Sequence, residues 1–281
     1  MFSKHHTRGR SDSFNARYRA GKSTSRSMKR SFQEHLGDSR RTERETRPEG
    51  VPNARTLTSP VITICVGPEK RLFAAHEEIL CMSPVFADAC RGQFFESPNT
   101  HSKTISLPEE QPEVFSCVLE YLYKGDYYPR LLHNRRRNTW ELENEASDMD
   151  VDGTEKDDAT IVDQATGNVI LKDTAVYCAA ERYNLSALKR LALRKQGLQS
   201  GIQCSTILAS ARYAYAHTPD TDSKLRAHYL ALIIRCRSTF KRSGTMQMEM
   251  EQGGKLFFDL FVAMCNYIDD LADTCKSPRS A

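Results

Sequence analysis

The chain has 281 residues, a formal net charge of +4 and 39% hydrophobic residues. That length allows one or two domains, and the apolar share lies below the ~45–50% of a compact chain, so part of the sequence is expected not to pack. No apolar run approaches the ~20 residues that cross a bilayer, and Met1–Phe14 lacks the apolar stretch of a secretory leader, which argues against membrane-spanning and secreted classes.

Residues 1–50 carry thirteen Lys/Arg, six Asp/Glu and few large apolar side chains. Such a segment buries too little to offset its ordering entropy, so residues 1–56 are expected to form a disordered basic tail. A transient helix over Met28–Leu36 is its one structured candidate. The tail could serve as a nuclear-import patch, a phosphate-binding arm or a transit peptide, and a plain solvated tail is the leading expectation.

From Val61 the pattern changes. The β-branched run Val61–Val66, the turn Gly67–Lys70 and a return strand Arg71–Ala74 predict a hairpin. A short helix over His76–Met82 turns Ile79 and Leu80 inward. Ser83 caps a second helix with Pro84 at its first position, where a missing N–H does no harm. That helix buries Phe86 and Cys90 and stops near Gly92. Thr104–Leu107 is a further strand. Pro112 opens a stronger helix whose Phe115, Val118, Leu119 and Leu122 fall on one face, and Gly125 ends it.

Residues 133–165 read as a disordered acidic insertion, because Glu141 to Asp163 contributes ten acids against one Lys and no apolar period survives. Order resumes at Val169–Leu171. Asp173 or Thr174 is expected to cap a helix through Arg182, and Ser186 one through Lys195, with Leu188, Leu191 and Ala192 inward and Gly197 as the stop. Residues 199–281 are predicted to be helical over Ser205–His217, Ser223–Phe240 and Lys255–Cys275. The last carries Phe257, Leu260, Phe261, Met264, Cys265, Ile268 and Leu271 as one stripe, expected to be helix–helix core, with a groove-binding surface or a dimer contact as the alternatives.

The ordered fragments Ala75-His76-Glu77-Glu78-Ile79-Leu80, Ser83-Pro84-Val85-Phe86, Gly92 to Ser97 and Val114 to Tyr123 resemble the BTB/POZ family, in particular its fungal single-domain members. Ala179 to Leu185 followed by Leu188 is similar to a later segment of the same family. The resemblance covers about residues 59–128 and 170–196. It implies an α+β fold, a short β-sheet flanked by a helical cluster, over residues 57–198, followed by the α-helical extension. Two departures stand out: Pro60 and Glu77 occupy the places of the acid and base that line the charged co-repressor pocket of BTB repressors. Zinc-finger pairs and Kelch or ankyrin repeats are absent from the sequence.

Catalytic signatures are also missing. Phosphate-loop, dinucleotide, nucleophile-elbow and His-Glu-x-x-His motifs do not occur, and Gly21-Lys22-Ser23 lacks both the upstream glycine and a strand–helix setting. The nine cysteines match no zinc spacing and read as reduced core thiols. His76 occupies the position of a structural histidine in the resembled family.

The expected function is therefore that of a non-enzymatic adaptor or scaffold without metal or cofactor, cytoplasmic or nuclear, either monomeric or a weak homo-oligomer. The resemblance implies a cullin-type ubiquitin ligase as one partner class, with an unknown client held elsewhere. Cullin-binding members carry a hydrophobic residue, any residue and a glutamate after the second helix, matched here by Phe94 and Glu96. The alternative is a nuclear, chromatin-associated factor whose tail touches nucleic acid through phosphates, though nucleic acid is the less expected partner.

Overall fold

The computed structural model describes residues 59–91, 104–143 and 159–276. The expectations for the basic tail, for Gly92 and for Phe94 and Glu96 lie outside the described residues.

Strands β1 (Val61–Val66), β2 (Arg71–His76) and β3 (Thr104–Leu107) form a sheet in the order β2-β1-β3, antiparallel on one side of β1 and parallel on the other. Ile62, Ile64 and Val66 point inward at the two-residue period of a strand. The β1–β2 turn needs Gly67. Its φ is +77°, and a Cβ there would meet the Glu110 carbonyl and the Pro112 ring at 3.3 Å.

Two short helices follow, α1 (Glu77–Leu80) and α2 (Pro84–Arg91), and then α3 (Pro112–Lys124). Pro84 and Pro112 each open a helix as expected, and Gly125 closes α3 in the left-handed conformation at φ 76°. Phe115 is the hub of this half. Its ring meets Phe73 edge-on at 5.2 Å and Phe86 edge-on at 6.1 Å, and Val118, Leu119 and Leu122 continue its buried face. Burying each such side chain is worth about 1.5–3 kcal/mol.

The ends of the expected acidic insertion are corrected. Leu131–Asn134 (β4) and Thr139–Leu142 (β5) pair as an antiparallel hairpin, and Thr160–Val162 (β6) pairs with Val169–Leu171 (β7). Residues 144–158 lie outside the described residues. Few apolar side chains mark the hairpin. Its turn is set by Asn138 at φ 47°, and Trp140 is fixed by the His133 ring at 4.6 Å and the Arg194 guanidinium at 5.3 Å.

Helices α4 (Lys172–Arg182) and α5 (Ser186–Gln196) pack on each other and α4 packs on α3. Asp173 and Thr174 are not caps, a second correction. Both are buried inside the first turn of α4, whose N-cap is Leu171. The extension is α6 (Cys204–His217), α7 (Ser223–Arg235), α8 (Arg237–Phe240), α9 (Gly244–Gln252) and α10 (Lys255–Lys276). The helix expected over Ser223–Phe240 is interrupted at Cys236. Helix α10 packs on α6 and α7.

The largest departure concerns the α10 stripe. Phe257 and Leu260 are buried, whereas Phe261, Met264, Ile268 and Leu271 are exposed. The stripe is core for its first turn and surface thereafter, because the face that continues along the body is the neighbouring one, which carries Leu260, Ala263 and Tyr267.

Candidate partner-binding surface

The surface around the expected Phe94–Glu96 site starts from α2. Its inner face is anchored by Phe86, which stacks on Tyr183 at a centroid distance of 4.6 Å, and by Ser83, whose hydroxyl donates to the Tyr183 carbonyl at 2.7 Å. Ser83 Oγ also accepts from the Phe86 amide at 3.4 Å, so the expected cap doubles as a tie to α4. The outer face is different in kind. Met82 and Val85 are 39% and 42% exposed, next to exposed Cys81 and an open Asp88–Arg91 pair at 3.9 Å. The described part of α2 ends at Arg91, and the chain is described again from Thr104 in the edge strand β3. Phe94 and Glu96 thus belong, in sequence, to the connection between α2 and β3, outside the described residues.

His76 has a structural part. It is the N-cap residue of α1. Its backbone N–H donates to the Tyr123 hydroxyl at 2.9 Å, and that hydroxyl lies 2.8 Å from the ring Nδ1. The two family departures sit side by side, since the Glu77 amide donates to the Pro60 carbonyl at 2.9 Å. An acid–base pair cannot form from a proline and a glutamate.

Behind this surface runs a network of buried polar groups that sequence reasoning missed. Glu110 accepts from the Tyr183 hydroxyl at 2.6 Å and from Arg182 Nη2 at 2.9 Å, tying the start of α3 to the end of α4. Asp173 accepts from the Tyr127 hydroxyl at 2.7 Å and from Gln199 Nε2 at 2.9 Å. Burial, only partly offset by these donors, holds the Asp173 carboxyl above the usual range. Lys195, fully buried, donates to the carbonyls of Tyr127 and Pro129 and meets Asp126 Oδ1 at 2.5 Å. Its ammonium is pushed below the ordinary lysine value, mainly by burial. Further out, Leu171 N–H donates to Ser210 Oγ at 2.8 Å and the Tyr177 hydroxyl to Asp222 at 3.0 Å. These bonds join the sheet and α1–α3 to α4–α7 as one body. No local pattern announces a lysine at a helix end as buried; its acceptors come from a loop 66–68 residues away.

Cys90, Cys178, Cys204 and Cys236 are buried as the core role requires, whereas Cys65, Cys117 and Cys265 are half-buried and Cys81 is exposed. Burial raises Cys117 to about 11 and Cys178 to about 12, so both are protonated at neutral pH and are poor nucleophiles. Among the described residues no group of three or more His, Cys, Asp or Glu could hold a metal ion, and no helix is long and apolar enough to cross a membrane.

Residues 61–136 match the family model described as BTB/POZ domain. No match was found among curated proteins. The matched span runs from β1 through the turn of the β4–β5 hairpin, and the buried network carries its core into α4–α7 beyond it.

Proposed function

We propose, from a BTB/POZ domain at residues 61–136, that this chain is a non-enzymatic adaptor of the cytoplasm or nucleus. In this reading it engages a cullin N-terminal region through Phe94 and Glu96, and its helical extension carries a client. The domain is a protein-interaction module. The observation that carries the finer reading is the uncommitted outer face of α2. Met82, in the turn before α2, and Val85, in its first turn, are exposed while Phe86 and Cys90 are consumed by the core, so the helix that leads into the segment holding both residues keeps apolar surface free for a partner. An aromatic anchor entering an apolar pocket, with a carboxylate beside it to accept hydrogen bonds, often supplies ~2 kcal/mol or more of binding energy.

The test is calorimetric titration of the purified chain with a cullin N-terminal region, using wild type, Phe94→Ala and Glu96→Ala, each checked for folding by its melt. Binding that weakens in both variants supports the adaptor mechanism. Wild type that does not bind, or binding indifferent to both changes, removes it and leaves the fold untouched.

A second reading has one observation in its favour. Arg135, Arg136 and Arg137 are all exposed at the tip of the β4–β5 hairpin, adding three guanidinium groups to the basic tail. A nuclear factor holding nucleic acid through phosphates would show retention on duplex DNA that falls steeply with salt. Absence of retention at low salt excludes it.

A further inference from the structure

The segment of α10 that leaves the body carries an apolar stripe with the period of a coiled-coil seam. Phe261, Met264, Ile268 and Leu271 recur at intervals of three, four and three residues, the 3.5-residue repeat that keeps one face turned to a partner helix. The seam is separate from the face that packs on α6 and α7. Leu256 and Leu260 are buried and Ala263 and Tyr267 are packed against the core, on the side of the helix where side chains meet the body. Asp269, Asp270 and Asp273 are exposed on the side of the helix opposite the seam. The residues flanking the seam, Phe258, Leu260, Cys265, Tyr267 and Ala272, are all uncharged, so like-charge repulsion does not oppose pairing with an identical helix.

We infer that this seam is the interface between two copies of the chain, joined about a two-fold axis by antiparallel pairing of their α10 helices. The uncovered area agrees with that occupant. Among the described residues Phe258, Phe261, Met264, Ile268 and Leu271 are 69%, 65%, 44%, 59% and 42% exposed. At ~200 Å² for a whole large apolar side chain, they leave on the order of 550 Å² per copy. Two copies supply roughly 1,100 Å², above the ~1,000 Å² that a specific interface should clear. Antiparallel pairing sets the two helix macrodipoles in opposition, which favours that direction, and leaves the Asp269–Asp273 cluster of each copy on the outer face, away from the contact. A self-complementary patch of this kind closes as a two-fold dimer and leaves no open end.

The interface is distinct from the Phe94–Glu96 surface, so the two readings stand or fall separately. Sedimentation equilibrium of the full chain, from sub-micromolar to high micromolar concentration, should show a monomer–dimer equilibrium. Phe261→Glu and Ile268→Glu should each raise the dissociation constant by on the order of 30-fold or more, the effect of losing a central apolar anchor. Asp270→Asn, on the acidic side, should leave the equilibrium unchanged. Thermal melts establish that each variant is folded, and Ile268→Ser serves as an uncharged second variant at an exposed position. Three results overturn the inference: a monomer at every concentration, a dimer whose affinity neither seam variant changes, or a monomer that associates only once residues 1–58 are deleted. The last would show the chain's own tail lying on the seam.

Discussion

Helix α3 places Phe115, Val118, Leu119 and Leu122 wholly inside the core, while α10, with a stripe of the same chemistry, buries Phe257 and Leu260 and exposes the rest. Both faces satisfy the same sequence criterion, apolar residues at helical spacing. They differ in what the chain supplies opposite them. Helix α3 lies between the sheet helices and α4, and its neighbours bring Phe73, Phe86 and Tyr127 to it. Helix α10 packs on α6 and α7 through the face that carries Leu256, Leu260, Ala263 and Tyr267, and nothing among the described residues stands opposite Phe261, Met264, Ile268 and Leu271. Periodicity identifies a face; it does not identify the partner of that face.

Truncation separates the two helices most sharply. Phe115→Ala removes an aromatic that is fully buried between two other rings, and should cost about 3–5 kcal/mol in chemical denaturation. That is a large part of a typical ~5–15 kcal/mol stability. Denaturation midpoints equal to wild type would show that α3 is not the hub.

Acid should find the weak point of the helical extension. Burial, with the Arg235 guanidinium as the lesser cause, lowers His228 to about 4. An unfolded histidine titrates near ~6.5, so between those values the unfolded chain holds a proton that the folded chain does not. Stability contributed by neutral His228 is fully present above about pH 6.5 and is lost as pH falls toward about 4. His228→Gln should flatten the decline of the unfolding free energy across that window, measured by urea titration at a series of pH values. An unchanged slope would mean that His228 is already charged in the folded protein.

The smallest effect belongs to α10. Phe261→Ser, at an exposed position, should change the unfolding free energy of dilute, monomeric protein by less than about 0.5 kcal/mol, measured in the same urea titration. A loss comparable with Phe115→Ala would place Phe261 in a core that its exposure denies.

The sheet and α1–α3 were legible because their signals are local. A β-branched run, a turn that only glycine fits, prolines at two helix starts and a left-handed glycine at a helix end each act within a few residues. The β4–β5 hairpin was not, because Leu142 is its one buried side chain and its anchor, Trp140, is held by Arg194 from α5. Lys195 and Asp173 read as ordinary polar positions for the same reason. Their partners, Tyr127, Pro129 and Gln199, are brought by the fold and not by spacing. Of the partner surface, Phe94 and Glu96 came only from the motif of the resembled family, while the exposure of Met82 and Val85 emerged with the packing of α2.

The claim that α3 faces a partner within the chain and α10 does not is tested most directly by hydrogen exchange of the full chain at low and high concentration. Amides of residues 114–122 should exchange slowly and identically at both, since they open only with global unfolding. Amides of residues 264–274 should exchange fast in dilute solution and slow as concentration rises and the seam is covered. Protection of 264–274 in dilute protein equal to that of 114–122 would contradict the account, because the stripe would then already be buried by its own chain.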